Sequence, residues 1–179
     1  LGTGLSAIPG LKSLIDKGHS VVVYNRTVEK AAEALSDIKG DYQIIEFSLE
    51  AIKAHAKAGD VIVSMLPGNF HVPVAELSLS IGAHFVSSSY ISDEMQSLHD
   101  SSVKKNLCLV NEVGLDPGID HSMSHALVED YKNSKSFSLE NQHSFISYCG
   151  GISDIPNDFC YKFSWSPLGV LKALMSTSV

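Results

Sequence analysis

The sequence predicts an α/β protein built on a doubly wound parallel sheet, followed by the start of a second α/β unit. Three observations carry this expectation. Short Val- and Ile-rich runs alternate with helical segments of about a dozen residues, the mark of βαβ units. A glycine-rich turn opens the first helix, and after Asn111 the alternation gives way to a loop, a helix and an aromatic-rich stretch.

Each element follows from its own pattern. After Gly2-Thr3-Gly4, the apolar residues Leu5, Ile8, Leu11, Leu14 and Ile15 recur at helical spacing and stop near Gly18. Ser20–Tyr24 is a Val-rich run of the kind buried in parallel sheets. A helix over Val28–Leu35, a weak strand over Gln43–Ile45 and an amphipathic helix over Leu49–Ala58 come next. Asp60–Met65 is a second clear strand, stopped by Pro67-Gly68. Val74–Leu79 reads as helix, His84–Ser88 as strand, Ser92–Ser102 as helix and Leu107–Asn111 as strand. Gly114–Gly118 is a loop, and Ile119–Tyr131 a helix. Beyond it, Phe145–Cys149 and Tyr161–Trp165 are rich in strand formers, which places a boundary near Asn133: a first domain over 1–133 and the start of another over 134–179. Leu1 directly precedes a turn that ordinarily follows a complete strand, and Leu171–Met175 stops inside a helical pattern. Both ends therefore read as cuts in a longer chain.

Composition narrows the function classes. Hydrophobic residues make up 44% and charged residues 18%, as in ordinary globular proteins. The net charge is −7 and the basic residues are scattered, which argues against nucleic acid or an anionic membrane as partner. No apolar run approaches the roughly 20 residues of a membrane span. Cys108, Cys149 and Cys160 form no CxxC pair, so a cytoplasmic location is expected.

Gly2-Thr3-Gly4-Leu5-Ser6-Ala7 fits the GxGxxA form of the dinucleotide fingerprint. The first glycine permits the tight turn, the second lets backbone N–H groups approach a pyrophosphate, and Ala7 lets the helix pack on the sheet. The helix start adds free amides and partial positive charge. The sheet is therefore expected to be of Rossmann type. At the end of the following strand stands Asn25-Arg26-Thr27, where an NAD site usually carries Asp or Glu. An Arg fork and a Thr hydroxyl suit a ribose 2′-phosphate, so the expected cofactor is NADP rather than NAD. Arg26 could instead be a solvated loop charge, and Thr27 also suits the cap of the next helix. Ser64, Leu66 and Pro67, ending the next strand, should lie beside the adenosine and ribose.

Two further strand ends are polar: Ser87-Ser88-Ser89-Tyr90 and Asn111 to His121. They would line one cleft with a phenol, carboxylates and an imidazole. Asn111–His121 (NEVGLDPGIDH) resembles a segment of the saccharopine dehydrogenases, the glutamate-forming enzymes of lysine metabolism. Ser88–Ser92 (SSYIS), Ser147–Gly151 (SYCGG) and Tyr161–Ser166 (YKFSWS) resemble three more stretches of that family, in the same order. The resemblance runs from Gly2 to about Leu174.

The resemblance implies an NADP-binding Rossmann domain followed by an α/β substrate domain that supports a homodimer. It implies an oxidoreductase acting on a CH–NH bond, interconverting saccharopine with glutamate and 2-aminoadipate 6-semialdehyde through an imine. Ser89, Tyr90 and Asp116 then correspond to substrate contacts, and Tyr90, Asp116 and Cys149 to active-site groups. Ser88, Val113 and Leu115 correspond to cofactor-lining positions. Ile152–Asn157 departs from the family pattern, which leaves the loop after Cys149 open.

Read as residues alone, Asp116 before Pro117 is also a turn former, and Cys149 is as well suited to lining a pocket as to chemistry. His121 and His125 stand four apart on a helix, yet no third ligand or HExxH motif accompanies them, so no metal is expected. His71, just after a strand end, could reach the nicotinamide side. Three other readings stay open: reductive amination of another amino acid or polyamine; a shikimate dehydrogenase-like enzyme, to which Asn111–His121 is foreign; and a non-catalytic module that senses NADP.

Overall fold

The computed structural model describes residues 1–148, 153–158, 160–162 and 167–175. The chain forms two compact units, Leu1–Met123 and Ser124–Val179.

In the first unit, strands β1 (Val21–Asn25), β2 (Tyr42–Glu46), β3 (Val61–Ser64), β4 (His84–Ser87) and β5 (Leu109–Val110) alternate with helices. The helices are α1 (Ile8–Asp16), α2 (Val28–Ala34), α3 (Leu49–His55), α4 (His71–Ile81), α5 (Asp93–Ser97) and α6 (His99–Lys104). Every pairing is parallel: Val21 lies opposite Tyr42 between β1 and β2, Val61 opposite His84 between β3 and β4, and Phe85 opposite Leu109 between β4 and β5. The two ladders meet at the first two residues. Gly2 N–H donates to Tyr24 O at 2.9 Å, Met65 N–H donates to Leu1 O at 2.9 Å, and the Leu1 nitrogen donates to Val63 O. Leu1 thus sits where a strand would lie between β1 and β3. The sheet order reverses there, as it does at the ligand-binding switch point of doubly wound folds.

Alternation along β1 shows that both faces are covered. Val23 packs with Ile15, Ala31 and Leu35, the core beneath α1 and α2. Its neighbour Tyr24 points the other way, into a core of Ile52, Ile62, Val74, Ala75, Phe85 and Met95 from β3, β4, α3, α4 and α5. Local signals set the helix ends. Ser48 Oγ accepts the Ala51 N–H at 2.9 Å to start α3, and Gly82, in the left-handed region at φ 85°, ends α4.

Two expectations need correcting. The helix expected over Ser92–Ser102 divides at Leu98 into α5 and α6. Leu98 N–H bonds to Met95 O three residues back, and the hydroxyls of Ser97 and Ser102 turn back onto Glu94 O and His99 O. Such local bonds compete with the regular helical ladder. The strand expected over Phe145–Cys149 is not formed by residues 145–148; Phe145, Ile146 and Tyr148 are exposed there, and no neighbouring strand pairs with them among the described residues. For the strand expected over Tyr161–Trp165, residues 161–162 are not in a strand and residues 163–165 lie outside the described residues.

Helix α7 (Ile119–Lys132) runs across the division between units. In the second unit Tyr131, Phe137 and His143 form an aromatic trio with ring centroids 5.5 Å apart, and α8 spans Pro167–Leu174.

Phe85 is fully buried at the centre of β4. Phe85→Ala should lower the unfolding free energy by about 3–5 kcal/mol, measured by equilibrium chemical denaturation. A loss under about 1 kcal/mol would show that the core is not closed around this ring.

Candidate active site

The strand ends at the switch point enclose a cavity of about 320 Å³. Its lining comes from four places: Gly2, Thr3 and Gly4 of the opening turn; Asn25, Arg26, Thr27 and Lys30 after β1 and on α2; Phe47 after β2; and Met65, Leu66, Pro67 and Phe70 after β3. Gly2 has φ 89°, and a Cβ there would stand 3.1 Å from Met65 O, so only glycine lets the turn lie against β3. A Cβ on Gly4 would meet nothing within 4 Å, leaving that face open to a ligand. No hydrogen bond uses the N–H groups of Thr3, Gly4, Leu5 or Ser6 among the described residues. These unspent amides at the start of α1 are an anion cradle. Asn25 Nδ2 donates to Thr27 O at 2.7 Å, bracing the loop that carries Arg26. Neither Arg26 nor Lys30 has an ion-pair partner among the described residues. Phe47 and Phe70 meet edge to face at 5.6 Å and give the cavity an aromatic wall. Amides, two cations and aromatic surface fit a phosphorylated dinucleotide.

A second polar cluster forms where β4 and β5 end. Tyr90 OH donates to Asp116 Oδ1 at 2.9 Å, and the Ile91 N–H donates to Glu112 Oε1 at 3.2 Å. Desolvation first, then the bond to Asp116 and the charges of Asp116, Asp120 and Glu112, push the Tyr90 phenol up to about 12. The phenol is therefore a proton-bearing donor at any physiological pH, in a surround of carboxylates that suits an ammonium group. The loop that carries Asp116 turns tightly at Gly118, with φ 143° and no room for a Cβ against Gly114 O. Between the two clusters lies His71, 4% exposed. Its Nδ1 is 3.0 Å from Ser64 Oγ and its Nε2 is 2.8 Å from Ser89 Oγ. Burial lowers its pKa, so the imidazole is neutral.

Of the cofactor residues expected from sequence, Gly2, Gly4, Asn25, Arg26, Thr27, Leu66 and Pro67 line the one cavity. Leu5 and Ser6 are exposed in the turn before α1, and Ala7 begins the helix. Ser64 lies beneath the cavity's rim, fully buried against His71. Ser88, Val113 and Leu115 stand beside the second cluster, Val113 and Leu115 exposed. Ser89, Tyr90 and Asp116 come together there, whereas Cys149 lies outside the described residues. Lys30, Phe47 and Phe70 escaped the sequence reading. Lys30 follows Arg26 by four positions on a helix start, the one signal that could have found it.

A reversed parallel sheet with a glycine turn, free amides and paired cations at its switch point defines a dinucleotide-binding protein of Rossmann type. Residues 1–110 match the saccharopine dehydrogenase NADP binding domain, and residues 114–179 the saccharopine dehydrogenase C-terminal domain. The chain belongs to the saccharopine dehydrogenase family. It is 33% identical over 186 residues to saccharopine dehydrogenase (NADP(+), L-glutamate-forming) of Pyricularia oryzae, covering 99% of this chain and 40% of that protein. The Saccharomyces cerevisiae protein of the same name is 34% identical over 187 residues, with the same coverage. The solved apo structure of histidine-tagged saccharopine dehydrogenase (L-Glu forming) from Saccharomyces cerevisiae superposes with a TM-score of 0.71 and 26% identity, over 97% of this chain and 39% of that one. The chain thus spans about 40% of the length of these relatives. Among the described residues, no helix is long and apolar enough to cross a membrane, and no group of three His, Cys, Asp or Glu could hold a metal ion.

Two titrations follow from this geometry. Asp116→Asn removes both the charge and the carboxylate acceptor facing Tyr90, so one phenol should ionise below about 12, while desolvation and the remaining carboxylates keep it above the ordinary tyrosine value. The phenolate absorbance titration reads this directly, and an unchanged curve would break the link between the two residues. For His71, an unfolded chain takes up a proton below about 6.5 that the buried ring resists, so stability is full above that pH and falls as the pH drops through it. Unfolding midpoints across that range should fall less steeply in His71→Gln than in the parent.

Proposed function

We propose that this chain is the cofactor-binding part, with the start of the substrate domain, of an NADP-dependent, glutamate-forming saccharopine dehydrogenase. Saccharopine, water and NADP+ would give glutamate, 2-aminoadipate 6-semialdehyde, NADPH and a proton, and the reverse. The observation that carries this reading is the cavity in which the unspent amides of Thr3 and Gly4, the Arg26 and Lys30 cations and the Phe47 wall converge. Its lining suits a pyrophosphate on the turn and a 2′-phosphate against the two cations, with no carboxylate to repel it. When bound, the nicotinamide accepts or delivers the hydride. The chain's own groups bind and orient. Asp116 accepts from the substrate ammonium, Tyr90 donates from a phenol that stays protonated, and Ser89 adds a hydroxyl beside it. In the same proposal Leu5, Ser6, Ala7, Ser64, Ser88, Val113 and Leu115 flank the cofactor, and Cys149 lines the substrate side.

The division into a cofactor domain over 1–133 and a substrate domain from 134 rests on the change in composition near Asn133. Homodimerisation through the substrate domain and a cytoplasmic location belong to the same proposal, supported by the family resemblance and by three cysteines that form no CxxC pair.

A titration with NADP and NAD tests the central claim. The parent should prefer NADP, and Arg26→Asp should weaken NADP by about 2–4 kcal/mol, since one charged contact to the phosphate is lost and a repulsive one added. NAD affinity should change far less. Equal binding of the two cofactors by the parent would refute the reading. Turnover of saccharopine by the full-length protein, set against analogues of either product, tests the substrate.

A further inference from the structure

His71 is bound at both ring nitrogens and yet almost sealed from solvent, an arrangement that exposed or merely packed histidines do not need. It links residues whose strands lie side by side: Ser64 is the last residue of β3, just before the cavity-lining Met65, and Ser89 follows β4, just before Tyr90. Phe85 is the aromatic neighbour of the imidazole, edge-on at 6.4 Å.

A neutral imidazole has one donor nitrogen and one acceptor. Ser64 is fully buried, and His71 Nδ1 is the only partner of its hydroxyl among the described residues. A buried O–H proton with no acceptor is costly, so Ser64 donates to Nδ1. The ring proton then resides on Nε2 and is donated to Ser89 Oγ. With its oxygen already accepting, Ser89 has its own O–H proton left to donate. Ser89 is half-buried and adjoins the exposed Tyr90, so that proton is available at the edge of the second cluster.

We propose that His71 is a positioning residue: held as its Nε2–H tautomer by Ser64, it makes Ser89 a dedicated hydrogen-bond donor to a carboxylate oxygen of an amino-acid substrate bound beside Tyr90 and Asp116. The ligand class rests on the function proposed above; the tautomer does not. The relay also ties the substrate-side hydroxyl to the end of β3, so the strand that borders the cofactor cavity fixes where the substrate is held.

Two arms test this on the full-length protein. The first is the nitrogen-15 spectrum of its histidine side chains at neutral pH, assigned with His71→Gln. A single Nε2–H signature for His71 supports the relay; an Nδ1–H signature or exchanging tautomers overturns it, whatever the substrate. The second compares variants in steady-state saccharopine turnover. His71→Gln places an amide donor near the Nε2 position and should stay within about 5-fold of the parent kcat/KM. His71→Asn reaches only Ser64 and should lose roughly 10- to 100-fold, mainly in the KM for the amino acid, with the NADP Kd unchanged. In a Ser89→Ala background the His71→Asn loss should shrink to under about 3-fold, because the residue acts through Ser89. Equal losses for Gln and Asn, or full additivity with Ser89→Ala, would mean that His71 only packs. A parent that binds NADP but does not turn over saccharopine would sink the functional reading while the spectrum still decides the tautomer.

Discussion

The first unit depends on a short seam of backbone hydrogen bonds. Gly2 N–H reaches Tyr24 O on one side and Leu1 O receives Met65 N–H on the other. Through those contacts a pair of strands and a set of three strands share one sheet, and the ends of β1 and β3 come to flank the same turn. The cavity is a consequence. Were the seam loosened, Asn25–Thr27 and Met65–Pro67 would be unrelated loops on separate ladders. The left-handed Gly2 and its approach to Met65 O are therefore constraints on the ligand site as much as on the fold.

The seam also explains how far the sequence could be read. The glycine turn, the Val-rich run ending at Tyr24 and the Asn25-Arg26-Thr27 triplet are local patterns, each with a mechanism; the turn and the triplet line the cavity, and the run delivers the triplet to it. Tyr90 and Asp116 were legible as polar strand ends, and the sheet joins them because β4 and β5 are neighbours. Other features have no local signature. Phe47 and Phe70 sit 23 residues apart and look like ordinary core aromatics until the ends of β2 and β3 bring their rings together. The His71 bridge spans separations of 7 and 18 residues, set by strand adjacency and not by any motif.

The misreadings have the same origin. Ser92–Ser102 carries a helical apolar pattern, but pattern alone does not register that its serine hydroxyls will compete for the carbonyls that a continuous helix needs. Phe145–Tyr148 has the composition of a strand, yet β propensity expresses fitness for a pleated, partly buried surface. Without a neighbouring strand among the described residues to supply that surface, the segment stays unpaired. Composition describes what a segment could do, and neighbours decide what it does.

Electrostatics adds a further layer that bulk charge hides. The chain carries −7 overall, which by itself would disfavour a ligand with several phosphates. The two polar clusters divide the charge instead. Arg26 and Lys30 stand at the cavity with no ion-pair partner among the described residues, while Glu112, Asp116 and Asp120 lie around Tyr90. Fields this local act within about a Debye length of 8–10 Å, so each cluster is read by the part of the ligand that it faces. On the proposed function, the cationic side takes the phosphates and the acidic side takes the ammonium. His71, neutral and buried between them, connects the two sides without contributing charge to either. A protonated imidazole at that position would place a cation beside the ammonium site and deprive Nδ1 of its lone pair, so burial, which lowers the His71 pKa, protects both the relay and the separation of charge.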